Sequence, residues 1–371
     1  MFLIDLIIFF LILGVVVLVH EFGHFIAAKQ SGVLVEEFGI GFPPKIWKKK
    51  IGETEYFLGA IPLGGMVKVH GMDTEEGDED DIRGYDSKNM WQKLWICGAG
   101  IVMNILFASA LFYILIGSSG FSFNQNVIFS EYEFPFGEQI NYPLISYIKE
   151  GTPADESELK IGDYVVAINA EKISSFDDFK KIITENEGRE IVLETGLGDV
   201  VKVTPRTEYP SDEGSLGVGL REISVVNYTS AIEKSLVGFL HSYNIIDFSF
   251  SSIGNIFSYA FKNNDPGMIA NSMAGPVGIF AITKITLDQG LYELINLIAV
   301  LSVAIGITNL LPIPVMDGAK MIYIVLQNFN KRIFTKKLQT KIEYFGFLFL
   351  IFLALAIIIK DFVQFKDIIF K

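Results

Sequence analysis

Cysteine is almost absent: Cys97 is the one such residue in 371. No intrachain disulfide and no all-cysteine metal site can be built from it. Charge is scarce too, at 20% of residues, and basic residues are outnumbered, 30 Lys and Arg against 43 Asp and Glu. A net charge of -13 makes the chain a poor partner for nucleic acid. Histidine occurs four times. What is abundant is apolar: half the residues are hydrophobic, and mean hydropathy is +0.41. That excludes disorder and a collagen-like repeat, and it points to a membrane protein carrying some soluble mass.

Four apolar stretches stand out. Phe2 to Val19 runs 18 residues with one charge, Asp5. Leu94 to Ile116 and Leu294 to Val315 run 23 and 22 residues with none. Tyr344 to Ile359 runs 16 and ends at Lys360, which can snorkel to the interface. A spanning helix needs about 20 apolar residues, so the second and third fit best. The first lacks the basic n-region and the small-residue cleavage site of a leader and runs straight into His20 and Glu21. It is therefore expected to be a retained span.

Short basic loops face the cytoplasm. Lys29, Lys45, Lys48, Lys49 and Lys50 follow the first span; Lys331, Arg332, Lys336, Lys337 and Lys341 lie between the third and fourth. Both loops are expected inside, which puts the long 120–290 region outside. Residues 120–224 hold 20 acidic side chains against 9 basic ones, so most of the net charge sits there. Long translocated segments follow no charge rule, so this does not disturb the assignment.

Within that region, residues 143–206 read as a small α+β domain. Strands are expected at Leu144–Ile148, Tyr164–Asn169, Ile191–Glu194 and Val200–Thr204, and a helix at Phe176–Glu185. Thr229–Phe261 has an amphipathic, aromatic-rich pattern suited to a membrane surface or to the underside of a domain. His241 within it is expected to be structural. Residues 73–88 are acidic and read as a solvated loop, without the ordered spacing of an EF-hand.

The chemistry begins at His20-Glu21-Phe22-Gly23-His24, which fits H-E-x-x-H. On a helix, histidines at i and i+4 share one face and can reach one zinc ion, with the glutamate beside them as general base. The helix has risen roughly 25 Å from Phe2 by this point, so the ionisable groups lie near the edge of the hydrocarbon. Groups at that depth are costly and mark function. A catalytic zinc has three protein ligands and one open position. The third span ends in Asn309-Leu-Leu-Pro312-Ile-Pro314-Val-Met-Asp317-Gly318. Asp317 is a candidate third ligand; N-capping of the next helix is an equal alternative.

Taken together, the HEFGH helix, the NLLPIPVMDG segment, and Gly-Thr-Pro-Ala-Asp followed by LKIGDYVVAIN (159–169) resemble the site-2 protease family, in particular the bacterial type that cleaves anti-sigma factors. Phe38-Gly-Ile-Gly-Phe42, Ile61-Pro-Leu-Gly-Gly65 and Gly275-Pro-Val-Gly278 extend the likeness over most of the chain. The resemblance implies an α-helical integral membrane protein of about four spans, with a membrane-re-entrant β-loop and an inserted α+β PDZ-like domain. It implies a first membrane part over 1–119 (span 2–28, β-loop 33–70, acidic loop 73–88, span 94–116). A PDZ-like domain over 120–224 and amphipathic surface helices over 225–290 follow, then a second membrane part over 291–371 with spans 294–315 and 344–359. His20, His24 and Asp317 are implied as zinc ligands, Glu21 as the catalytic acid/base, and Asn309, Asn104, Gly64 and Gly65 as substrate contacts. The implied enzyme is a zinc metalloendopeptidase of the bacterial inner membrane, with its site near the cytoplasmic face and the PDZ-like domain outside. Its implied substrates are single-span membrane proteins, anti-sigma-factor-like or signal-peptide remnants, with a peptide carboxy terminus as a possible ligand of the PDZ-like domain. Departures at Pro43-Pro44, Ile101 and Ala319 touch no implied ligand. The competing readings are a catalytically inactive PDZ-bearing scaffold and, behind it, a metal transporter.

Overall fold

The computed structural model describes residues 2–72, 81–125, 132–173, 175–196, 198–210, 213–265, 267–330 and 332–369. The first half of the expected acidic loop, residues 73–80, therefore lies outside the described residues. The chain divides into two units, Met1–Leu115 with His241–Lys371, and Ile116–Leu240.

In the first unit, α1 (Phe2–Gln30) leads into two long strands, β1 (Val35–Ile51) and β2 (Thr54–Val69), and then α2 (Met90–Ser118). The strands bend as they pair. Glu37 faces both Lys68 and Glu55, while Lys48 faces Phe57. Two strands thus make four paired segments, in the order 61–69, 35–42, 54–59 and 45–51. Among the described residues no strand pairs with the outer edge of segment 61–69.

The second unit holds β3 (Ser122–Asn124), β4 (Glu138–Ile148), β5 (Val165–Ile168), β6 (Glu171–Lys172), α3 (Phe176–Glu185), β7 (Ile191–Thr195), β8 (Val200–Val203) and β9 (Val218–Asn227). Its sheets run β3-β9-β4 and β6-β5-β7-β8. Val165 and Ile168 of β5 and alternating residues of β7 and β8 meet Phe179 and Ile183 of α3 in one core, which Ile145 of β4 joins. Ser175 caps α3 by accepting from Asp178 N–H at 3.1 Å. The expected 176–185 helix and the strands near 165, 191 and 200 coincide with these elements.

α4 (Ala231–Asn263) and the short α5 (Gly267–Ser272) return the chain to the first unit, followed by α6 (Pro276–Gln289), α7 (Leu291–Leu310), α8 (Asp317–Phe329) and α9 (Lys336–Ile369). α4 is tied to α2: His241 packs edge-on to Phe112, with centroids 4.6 Å apart, and the Ser109 and Ser242 hydroxyls bond at 2.9 Å. α6 packs against α9 and α1, where Phe9 and Phe280 meet beside Phe365. The fully buried Asp361 of α9 accepts from Gly275 and Gly278 N–H, each at 2.8 Å, and so caps α6 across 83 to 86 residues of sequence.

Four helices are long and apolar enough to cross a membrane: α1, α2, α7 and α9 over Lys336–Lys366. They contain the four expected stretches with two differences. α7 stops at Leu310, because Pro312 and Pro314 cannot continue it. α9 begins eight residues before Tyr344, since Lys336–Glu343 are good helix formers and need no lipid.

His70, just past β2, places Nδ1 2.6 Å from a Glu36 oxygen and Nε2 2.7 Å from an Asp81 oxygen. Two acceptors on one ring require two N–H donors, which only the imidazolium has. The carboxylates of Glu36 and then Asp81 accordingly hold His70 above the ordinary value of 6.5. A raised folded value gives stability that is complete below 6.5 and is lost as pH rises through the raised value. The thermal midpoint in detergent should fall between about pH 6 and 9, and by less in His70→Gln.

Candidate metal centre

The i, i+4 spacing on α1 puts His20 and His24 on one face, both buried. Asp317 is the first residue of α8 and also buried. The residue capping α8 is Met316, with no side-chain capping bond, so the Asp317 carboxylate is spent elsewhere. Its Oδ2 lies 3.0 Å from His20 Nε2 and 3.3 Å from His24 Nε2, and the two Nε2 atoms are 3.1 Å apart. The edge of a tetrahedron of nitrogen and oxygen ligands around zinc is about 3.3 Å, so the triangle has the right size.

The protonation pattern asks for a cation. His24 Nδ1–H donates to the Ile96 carbonyl at 2.7 Å. A neutral His24 then turns a lone pair inward, towards a carboxylate oxygen and a second imidazole nitrogen. Three acceptors converging in a buried space repel one another unless a positive ion or protons lie between them. A backbone partner on the outer nitrogen is also how metal-binding histidines are oriented. His20 Nδ1 is buried and has no hydrogen-bond partner among the described residues. Three atoms within 4.8 Å of one another, one from each side chain, thus form a donor set that fits a single zinc ion.

α2 has to come very close to make this space. A Cβ on Gly100 would stand 2.5 Å from His24 Nε2 and 2.7 Å from His20 Cε1. Glycine at that position is therefore part of the site. The sequence offered Gly100 only as one small residue in an apolar run. The Ile96 carbonyl gave no side-chain signal at all.

Glu21 is half-buried on the flank of α1 next to β2. A Cβ on Gly65 would meet Glu21 Cγ at 3.0 Å, and one on Gly64 would meet Val17 at 3.0 Å. So Gly64 and Gly65 bring segment 61–69 against the helix turn that carries Glu21. His24, His20 and Asp317 are the titratable groups nearest to Glu21 in the site. Asn104 is fully buried on α2, with neither amide atom partnered among the described residues. Its backbone carbonyl accepts from Ser302 of α7 at 2.8 Å. Asn309 is part-buried and donates to Ile305 O at 3.1 Å, one turn back in α7.

Asp317 is delivered by an unusual turn. Met316 N–H donates to Ile313 O at 3.0 Å, closing Ile313-Pro314-Val315-Met316. Pro314 takes the second position, and Val315, at the third, has φ +83°. This is the type II pattern, whose third position favours glycine or asparagine. A β-branched residue there costs about 1–3 kcal/mol and is a mark of functional sites.

Comparison with known proteins bears on this site. The model of peptidase family M50 matches residues 8–353. A Clostridium perfringens chain that carries the name zinc metalloprotease is 30% identical over 345 residues, covering 93% of this chain and 94% of its own length. A Helicobacter pylori chain of the same name is 30% identical over 372 residues, covering 95% and 97%. The regulator of sigma-W protease RasP of Bacillus subtilis is 23% identical over 442 residues, covering 97% and 99%. The matched region includes the His20, His24 and Asp317 cluster and, in large part, three of the four helices long and apolar enough to cross a membrane. The chain belongs to peptidase family M50, the site-2 proteases, and is a zinc metalloprotease.

Proposed function

We propose that the protein cuts peptide bonds within or near the membrane-spanning segment of single-span membrane proteins, with His20, His24 and Asp317 holding zinc and Glu21 transferring protons. One observation carries this reading: ligand atoms of His20, His24 and Asp317 converge in a buried space beside α1, a helix apolar and long enough to span a membrane, where ionisable groups are costly. Bound zinc supplies a Lewis acid that acidifies water and polarises a peptide carbonyl. Glu21 takes a proton from the attacking water as its oxygen bonds to the scissile carbon. The C–N bond then breaks, and Glu21 returns the proton to the leaving nitrogen.

A helical substrate hides its carbonyls in its own hydrogen bonds and must unwind. The unpaired outer edge of segment 61–69, held against the Glu21 turn by Gly64 and Gly65, suits an added strand. Asn104, whose buried amide has no partner among the described residues, and Asn309 are the polar groups proposed to hold that strand. The name of the Bacillus subtilis relative supports a signalling substrate of the anti-sigma-factor kind, with signal-peptide remnants as the second class. We place the protein in the bacterial cytoplasmic membrane, the site near the inner face and the Ile116–Leu240 unit outside.

That unit, read as PDZ-like, has two possible tasks: docking a freed peptide end or excluding bulky substrates. The backbone favours exclusion. Ile145 N–H donates to Asp163 O and Ile145 O accepts from Gly162 N–H, both at 2.8 Å, while β9 pairs along the other edge of β4. The strand beside α3 therefore has both edges taken where a docked peptide would pair.

Wild-type protein in detergent should hold about one zinc per chain, lost in His24→Ala and Asp317→Ala. Glu21→Gln should keep the zinc and abolish cleavage; normal turnover in that variant would refute the proton-transfer role. Gly100→Ala should cost at least about tenfold in zinc affinity, because its methyl group enters the ligand triangle. Deleting 143–206 should let the enzyme cut intact substrate, whereas reduced cleavage would mean docking.

A further inference from the structure

Asp317 reaches the histidines because the chain reverses just before it, through a turn whose left-handed Val315 is unfavourable by itself. Something outside the turn must hold it, and two contacts do. On one side, α8 starts so close to the end of α7 that a Cβ on Gly318 would lie 2.2 Å from the Leu310 carbonyl oxygen. On the other, α9 crosses the turn at Gly346, where a Cβ would stand 2.2 Å from Pro314 Cβ. None of the most apolar window of α9 is buried, so close contacts such as this one are what seat the helix. Fifteen residues further on, Asp361 pins the same helix to the start of α6.

We infer that Val315 and Gly346 are positioning residues for the metal centre: α9, seated on Pro314 at Gly346, holds the left-handed turn that aims the Asp317 carboxylate at His20 and His24. Neither residue touches the metal or the reacting atoms. Both act through Asp317, so the inference rests on its proposed role as a ligand. It makes a peripheral spanning helix a determinant of metal affinity, with no ligand of its own.

The test is zinc affinity by chelator competition on the full chain in detergent, together with the visible spectrum of the cobalt-substituted protein. Val315→Gly keeps the hand of the turn, so affinity should stay within about threefold and the cobalt bands should not move. Val315→Pro fixes φ near about −65° and removes that hand. Affinity should then fall about 10–100-fold, the size seen when support behind a ligand is lost, with helix content retained. Gly346→Leu should weaken binding similarly and shift the cobalt bands, and Gly346→Ala should do so more mildly. Adding Pro314→Gly to Gly346→Ala should restore affinity, since it removes the atom the new methyl strikes. That rescue is what a merely structural defect in α9 would not give, and it carries the test if Gly346→Leu fails to fold. Wild-type affinity in Val315→Pro, or an unchanged affinity and spectrum in both Gly346 variants, would overturn the inference. Wild-type protein without zinc, or zinc retained in Asp317→Ala, would overturn the ligand set instead.

Discussion

Two imidazole nitrogens and one carboxylate oxygen face one another across about 3 Å in a buried space. That arrangement is unstable alone and stable around a divalent cation, and much of the first unit serves to impose it. α1 supplies two of the three groups by helical spacing. α2 approaches near enough, through Gly100, to hold His24 by a main-chain carbonyl. The third group arrives from the far end of the sequence on a turn that no isolated peptide would prefer. The specificity of the site is therefore a matter of backbone placement at least as much as of ligand identity.

The division of labour around Glu21 follows from the same geometry. The histidines turn into the gap between α1 and α2, while Glu21, one residue from His20, faces segment 61–69 instead. A helix presents successive residues about 100° apart, so an adjacent His-Glu pair serves two surfaces at once. One surface is closed and suits an ion. The other meets a strand whose outer edge pairs with no strand among the described residues, and suits an extended chain.

Much of this was legible in the residues because it rests on periodicity. Runs of apolar residues gave the four candidate spans and the i, i+4 histidines gave the shared face, although the third run extends five residues beyond the end of α7. What stayed hidden rests on distance. Nothing local in Val35–Val69 says that two strands will fold into four paired segments, because the bends come from pairing on both edges. Asn309 gives no sign that it bonds to its own helix, nor Asn104 that its amide is left without a partner among the described residues. Asp317 could not be chosen over a capping role by type, since aspartate suits both; only the carboxylate's direction separates them. Val315 was invisible because its importance lies in the sign of one torsion angle.

Asp361 carries a consequence for biosynthesis. The Gly275 and Gly278 amides at the start of α6 both bond to its Oδ2, although it follows them by more than eighty residues. A ribosome that has just made α6 has not yet made their partner. Through the synthesis of α7 and α8 those two amides must depend on water, lipid headgroups or the insertion machinery. α6 gains its native cap only when α9 enters the membrane. The same helix rests on the turn that carries Asp317. α9, made after both, thus secures the start of α6 and the turn before Asp317, so a chain interrupted before α9 would lack both supports.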